Sequence, residues 1–248
     1  MVGSHRQRTA DVALARVLPL GRERAPTTSG PASPRFPGFE RMAFSVRTHW
    51  DYAWRETGVT NGKADPVKSG VVRIALGNPI ELDFGPAGAV RLFETTCSAQ
   101  SGRVPAWWPQ WRYLGVKDGA LYAGAELADG EFGAAMLFDA KTGEIHPQGF
   151  MGSFSNGVRS IASGTISNSF LTTPAVVVDE PCFDAGCETI GDLQICDGEL
   201  HDSRVREYYL PGKGFGGWYR RGTSIYAGGG YVDVLEIAME VGLISTSL

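Results

Sequence analysis

The residues best suited to surface chemistry are three tryptophans within five positions, Trp107-Trp108-Pro109-Gln110-Trp111, followed by Arg112-Tyr113. An exposed indole can stack on a sugar face or anchor a protein interface. On an extended chain Trp107 and Trp111 share one parity and Trp108 takes the other, so the three cannot face one ligand together. Trp is also highly buried on average. Trp107, Trp108 and Trp111 are therefore the candidate ligand-binding residues, with two or more of them expected to serve as core or as a loop lid.

A second concentration is acidic: Asp179, Glu180, Asp184, Glu188, Asp192, Asp197, Glu199 and Asp202, with no Lys or Arg until Arg204. Carboxylates on loops can hold calcium, the one cofactor suggested here, although the EF-hand pattern is absent. The competing reading is a solvated acidic face. Within it lie Cys182, Cys187 and Cys196, spaced Cys-x4-Cys-x8-Cys and followed by His201. Zinc prefers tighter knuckles. A Cys182–Cys187 disulfide in an oxidising compartment and free thiols, with Cys196 in the core, stay open beside the metal tetrad. No metal site is assigned.

Catalytic patterns are scarce. Gly157, Gly164 and Gly191 do not form a Gly-x-Ser-x-Gly elbow. The four His (His5, His49, His146 and His201) are scattered, and Gly212-Lys213-Gly214-Phe215-Gly216-Gly217 lacks the Lys-Ser/Thr of a phosphate loop. Any two carboxylates could pair as in a glycosidase, but none is singled out. No catalytic residue is assigned, and a non-enzyme is favoured.

The elements that must position these groups read as strands. Thirty-three Gly and fourteen Pro exceed what a helical protein tolerates and suit many tight turns. Hydrophobic residues make up 43%, enough for a real core. Ile80, Leu82 and Phe84 alternate on one face. Lys117-Asp118-Gly119 is a hairpin signal between 111–116 and 120–125, and Ala140-Lys141-Thr142-Gly143 is another between 133–139 and 144–146. Residues 43–48 read as a strand, and 231–238 stand open between strand and helix. Glu199–Tyr208 reads as the one short helix of the domain, ending before Pro211. The expected fold class is all-β: an antiparallel β-sandwich or jelly roll spanning 42–248.

Residues 1–41 differ. They carry seven Arg (Arg6, Arg8, Arg16, Arg22, Arg24, Arg35 and Arg41) against Asp11, Glu23 and Glu40, so this segment is net +4 and the remainder −8. A short helix is expected over Thr9–Val17. Pro26, Pro31, Pro34 and Pro37 then give an extended linker composition. The segment reads as a basic arm, as an organellar transit segment, or as sequence upstream of Met42. Arg6, Arg8, Arg16, Arg22, Arg24 and Arg35 are the candidate subunit contacts, with Leu14, Val17, Leu18, Leu20 and Phe36 as spaced apolar anchors. Nucleic acid is only weakly suggested, because the domain's own charge opposes it. No apolar run approaches the ~18–20 residues of a membrane span.

One segment, Ile190-Gly191-Asp192-Leu193-Gln194-Ile195-Cys196-Asp197-Gly198-Glu199-Leu200-His201 continuing to Tyr209, resembles the closing strand and short helix of laminin-G-like, concanavalin A-like jelly rolls. Ile80-Glu81-Leu82-Asp83-Phe84-Gly85 would then be the opening strand. The resemblance covers about thirty residues and implies a two-sheet sandwich of a kind used for glycan or protein recognition. About forty residues follow Tyr209, where such domains stop.

The functional expectation is a non-enzymatic structural or assembly protein, of the kind found in a bacteriophage virion as decoration, head–tail or tail protein. Its partners would be copies of itself or other virion subunits, and its location a virion or the extracellular space. The alternatives are a carbohydrate-binding module or lectin, and a glycan-active hydrolase on a concanavalin-type sandwich.

Overall fold

The computed structural model describes residues 35–109, 111–126, 132–146, 149–151, 160–181, 188–190, 193–196, 199–228 and 231–248. The fold is all-β and antiparallel. Among the described residues fifteen strands join one sheet: β1 (His49–Thr60), β2 (Lys63–Ala64), β3 (Lys68–Asp83), β4 (Ala89–Ser101), β5 (Tyr113–Lys117), β6 (Ala120–Glu126), β7 (Phe132–Asp139), β8 (Glu144–Ile145), β9 (Ser160–Ser167), β10 (Thr172–Pro181), β11 (Glu188–Ile190), β12 (Leu193–Cys196), β13 (Glu199–Leu210), β14 (Gly214–Gly228) and β15 (Tyr231–Thr246). The main path runs β11-β12-β13-β14-β15-β1-β3-β4-β5-β6-β7-β8, with the β9–β10 hairpin added along β13 and β2 along β1. The sheet curls into a half-barrel, so its inner face builds the core that a sandwich builds between two sheets.

Turn chemistry sets much of this register. Asp118 (φ 52°) and Gly119 (φ 87°) form the two-residue loop between β5 and β6, where Lys117 pairs with Ala120. Two positive φ values match the right-handed twist of the flanking strands, and Asp-Gly supplies them at low cost. Asn61 (φ 50°) and Gly62 (φ 76°) do the same between β1 and β2. The expected hairpin at 140–143 joins β7 to β8, with Asp139 opposite Glu144.

Three expectations are corrected. Glu199–Tyr208 is strand, part of β13, and among the described residues the only helical turns are the short 3-10 segments Phe39–Arg41 and Gly85–Ala87. Read as a strand, Val205, Glu207 and Tyr209 point inward while Arg204, Arg206 and Tyr208 point outward. A carboxylate in the middle of the inward row hides the alternation. Residues 43–48 form loop and turn ahead of β1. The end of the basic segment belongs to the domain: Phe36 and Phe39 are buried in its core, with ring centroids 6.2 and 5.2 Å from that of Phe138. Residues 1–34, including the expected Thr9–Val17 helix, lie outside the described residues.

The core lies on the inner face of the curl. Trp50, Tyr52 and Trp54 alternate along β1, Val72, Ile74 and Leu76 along β3, and Trp218, Val241 and Leu243 complete the row from β14 and β15. The 149–151 turn and strand β7 pack against it. Phe150 stacks on Phe215 at 4.1 Å, and Phe138 stacks on Tyr209 at 4.6 Å. The space left among Trp50, Tyr52, Leu114 and Phe150 is about 10 Å³, room for one water at most.

Candidate binding cleft on the outer face

The tryptophan triplet lies against the inner core. Trp108 is buried (2% exposed), and its ring lies 5.8 Å from Tyr52 and 6.1 Å from Trp107. Trp107 is half-buried against Trp54 and Trp218, and its Nε1–H donates to Glu56 Oε2 at 3.0 Å. Trp111 is half-buried, with its Nε1–H donating to the Phe150 carbonyl at 2.7 Å. The three rings meet one core because residues 103–109 and 111 lie outside any strand and are free of strand parity. Each is packed or bonded within its own chain, Trp108 in the buried core and Trp107 and Trp111 half-exposed with their N–H edges engaged.

Arg35 is likewise engaged at home. Its guanidinium sits 5.3 Å over the Phe36 ring, and Nη2 donates to the Ile161 carbonyl at 3.3 Å. Arg6, Arg8, Arg16, Arg22 and Arg24 lie outside the described residues. So do Cys182 and Cys187, and the side chains of Cys196 and His201 are not described. Of the acidic stretch, Asp179 is described in full. Among the described residues no three His, Cys, Asp or Glu side chains group as a metal site.

The two buried carboxylates serve structure. Glu207, fully buried, accepts the backbone N–H of Phe150 at 2.9 Å and of Met151 at 2.7 Å, and the Tyr209 hydroxyl at 2.6 Å. It thereby pins the 149–151 turn over the core. Asp51 takes a bidentate pair from Arg73 at 2.7 and 2.8 Å and a third bond from the Ser245 hydroxyl. The Arg73 hydrogen bond, outweighing the effect of burial and helped by Ser245, holds the Asp51 carboxyl below the usual range.

The outer face carries the group that sequence reading missed. On β13, Arg204 and Arg206 lie directly opposite Arg221 and Tyr219 of β14, and Tyr219 lies opposite Glu240 of β15. The β9–β10 hairpin folds over this face. Ile166 is fully buried against Gly217, the Asn168 side-chain amide donates to the Val241 carbonyl at 3.0 Å, and the Ser169 hydroxyl donates to Glu240 at 2.6 Å. Gly242 makes this approach feasible, because a Cβ there would lie 2.9 Å from that of Phe170. Beside the hairpin a cleft of about 310 Å³ is lined by Ser167, Arg204, Arg206, Tyr208, Tyr219, Arg221 and Glu240.

Asp179 on β10, in register with Arg206, organises one wall. It accepts Arg204 Nε and Nη2 at 2.9 and 2.7 Å, and Arg206 Nε at 3.1 Å. Burial alone would raise its pKa, but the two guanidinium groups outweigh burial and hold the carboxyl below its ordinary value. Desolvation pushes the Tyr208 hydroxyl up, so it stays a neutral donor. Arg221 has no hydrogen-bond or ion-pair partner among the described residues. The wall therefore holds two guanidinium groups oriented by one carboxylate, with Arg204 directly opposite Arg221.

Among the described residues no helix is long and apolar enough to cross a membrane. No family model matches the chain, and no curated protein matches it. Among solved structures it is similar to the crystal structure of the LolA superfamily protein NE2245 from Nitrosomonas europaea, at 10% identity across 84% of this chain and 90% of that one, with a TM-score of 0.18. So low a score carries nothing about shape or function.

Proposed function

We propose that this protein is a non-enzymatic assembly component, a preformed β-scaffold that contacts copies of itself or neighbouring subunits of a virion-type lattice through its N-terminal arm. The observation that carries the reading is the filled inner face. Trp54, Trp108, Trp218, Tyr209 and Phe150 are fully buried there, so function falls to surfaces and to the arm. The arm has a fixed point of departure. Phe36 and Phe39 are seated in the core, and Arg35 is bonded beside the β7–β8 turn. Whatever precedes residue 35 starts from that point, and ~34 residues can reach well beyond one domain at ~3.3 Å each.

The carbohydrate reading draws less support, since Trp108 is buried and Trp107 and Trp111 pack against the core with their indole N–H groups engaged within the chain. A glycosidase reading needs two free carboxylates, and the buried pair, Asp51 and Glu207, is engaged by the protein's own donors.

Sedimentation of the full chain and of a variant lacking residues 2–34 tests the proposal. The full chain is expected to form concentration-dependent oligomers, whereas the variant stays monomeric with an unchanged melting temperature. Identical sedimentation of the two would remove the arm from any assembly role. The cut stops at 34 because Phe36 belongs to the core.

A further inference from the structure

We infer that the outer-face cleft of Arg204, Arg206, Arg221, Tyr219 and Ser167 binds a tetrahedral oxyanion, a phosphate or sulfate group free or carried on a larger ligand. This site is independent of the arm and of the assembly reading.

Like charges directly opposite one another on paired strands destabilise a sheet. Here Arg204 faces Arg221 across the β13–β14 ladder, and Arg206 lies one outward position further along. Three guanidinium groups share this patch with two carboxylates. Asp179 is spent on Arg204 and Arg206, and Glu240 is held by Ser169. The patch stays net positive on a chain whose overall charge is −4. Asp179 ties β10 to β13 through Arg204 and Arg206, but Arg221 makes no such tie among the described residues, so the excess positive charge does not serve the β10–β13 pairing.

The geometry suits an oxyanion better than a carboxylate. A carboxylate offers two coplanar oxygens, which one arginine fork can satisfy, as Arg73 does for Asp51. In the cleft the donors come from several directions: β13 (Arg204, Arg206), β14 (Tyr219, Arg221) and the hairpin (Ser167). A tetrahedral group distributes its acceptors in that way. Asp179 fixes Arg204 through both Nε and Nη2 and Arg206 through Nε, so less rotamer freedom is lost on binding. A cleft of about 310 Å³ exceeds a bare ion and sits at the lower end of small-molecule sites.

Calorimetric titration with inorganic phosphate and with glycerol 3-phosphate, at ionic strength matched with chloride, tests the inference on the full chain. Saturable binding is expected for at least one probe. Tighter binding of inorganic phosphate supports a free ion as ligand, and tighter binding of the ester supports a phosphoryl group on a larger molecule. Arg221→Gln, at an exposed position with no partner to lose among the described residues, should keep its fold by circular dichroism and weaken binding at least about tenfold, the usual size of a charge-assisted hydrogen-bond loss. Lys63→Gln, on the short strand β2 outside the cleft, should leave binding unchanged. Absence of saturable binding below about 10 mM, or equal weakening by the two substitutions, would overturn the site and leave only general charge attraction. Neither result bears on the sedimentation of the arm-deleted chain.

Discussion

Strand β13 presents two faces built from consecutive residues, and their polar groups meet opposite conditions. Inward, Glu207 sits between Val205 and Tyr209, fully buried, with its oxygens taken by two backbone N–H groups and a tyrosine hydroxyl. Outward, Arg204 and Arg206 are half-buried and share one carboxylate, and Arg204 faces an arginine that has none among the described residues. A buried charge-bearing group survives folding only when its partners are complete. A partly solvated cluster of like charges survives with partners missing because water supplies them, and a ligand can replace that water. The contrast separates a polar group that makes the fold from one that the fold holds ready.

The comparison breaks first, and most visibly, at Glu207. Glu207→Ala leaves two backbone donors and the Tyr209 hydroxyl without an acceptor inside the core, and should cost about 3–5 kcal/mol in urea unfolding. Glu207→Gln keeps one acceptor oxygen and should cost roughly half as much. A loss below about 1 kcal/mol for the Ala variant would mean that the 149–151 turn is held by something else.

Next in size is the acid limb. Asp51 and Asp179 are held below the usual carboxylate range in the folded chain, Asp51 chiefly by Arg73, and Asp179 by Arg204 and Arg206 against the opposing effect of burial. A depressed folded pKa contributes stability that is present above the unfolded value and is lost as pH falls through the folded one. Thermal melts between pH 7 and pH 2.5 should therefore show a flatter acid decline for Asp51→Asn and for Asp179→Asn than for the native chain. Parallel declines would show that neither ion pair holds the fold.

A smaller effect sharpens the role of the tryptophans. The indole N–H of Trp218 is buried without an acceptor among the described residues, whereas that of Trp111 donates to the Phe150 carbonyl. Trp218→Phe removes an unsatisfied donor together with some packing and should cost less than about 1.5 kcal/mol. Trp111→Phe strands a carbonyl and should cost more, about 1–2 kcal/mol, although Trp111 is the less buried ring. Equal costs would reduce both residues to volume alone.

How much of this was legible in the sequence depended on whether the signal was local. The Asp118-Gly119 hairpin and the 140–143 turn are local and correctly placed, and Asn61-Gly62 carried the same signal unused. The antiparallel all-β class followed from turn density. The helix at Glu199–Tyr208 failed because the inward row Val205-Glu207-Tyr209 has a carboxylate where alternation demands an apolar residue. The same error hid the cleft: once 199–210 is read as a strand, Arg204-x-Arg206-x-Tyr208 is an outward row of donors. Its partners could not be read locally, since Arg221, Glu240, Asp179 and Ser167 come from four other strands. The acidic run from Asp179 to Asp202 pointed away from a cationic site, yet Asp179 is the group that orients it.

The smallest expected effect is the sharpest test of the outer face. Arg221→Gln removes a charge that faces Arg204 in direct cross-strand register and has no acceptor of its own among the described residues. If the cluster stabilised the fold, losing a member would lower the melting temperature. If the cluster is a repulsive array tolerated for binding, the loss relieves like-charge contact, and stability without phosphate should stay within about 0.5 kcal/mol of native or rise slightly. The sign should then reverse with phosphate present. The native chain gains stability as the ligand binds its folded state, by about 2.7 kcal/mol at a hundred times the dissociation constant, while the variant gains far less. Melting curves of both chains in chloride and in phosphate at equal ionic strength give four values, and the crossing of the two pairs is the expected result. A variant that is less stable in both buffers by the same amount would make Arg221 a structural residue, and the two faces of β13 would no longer differ in kind.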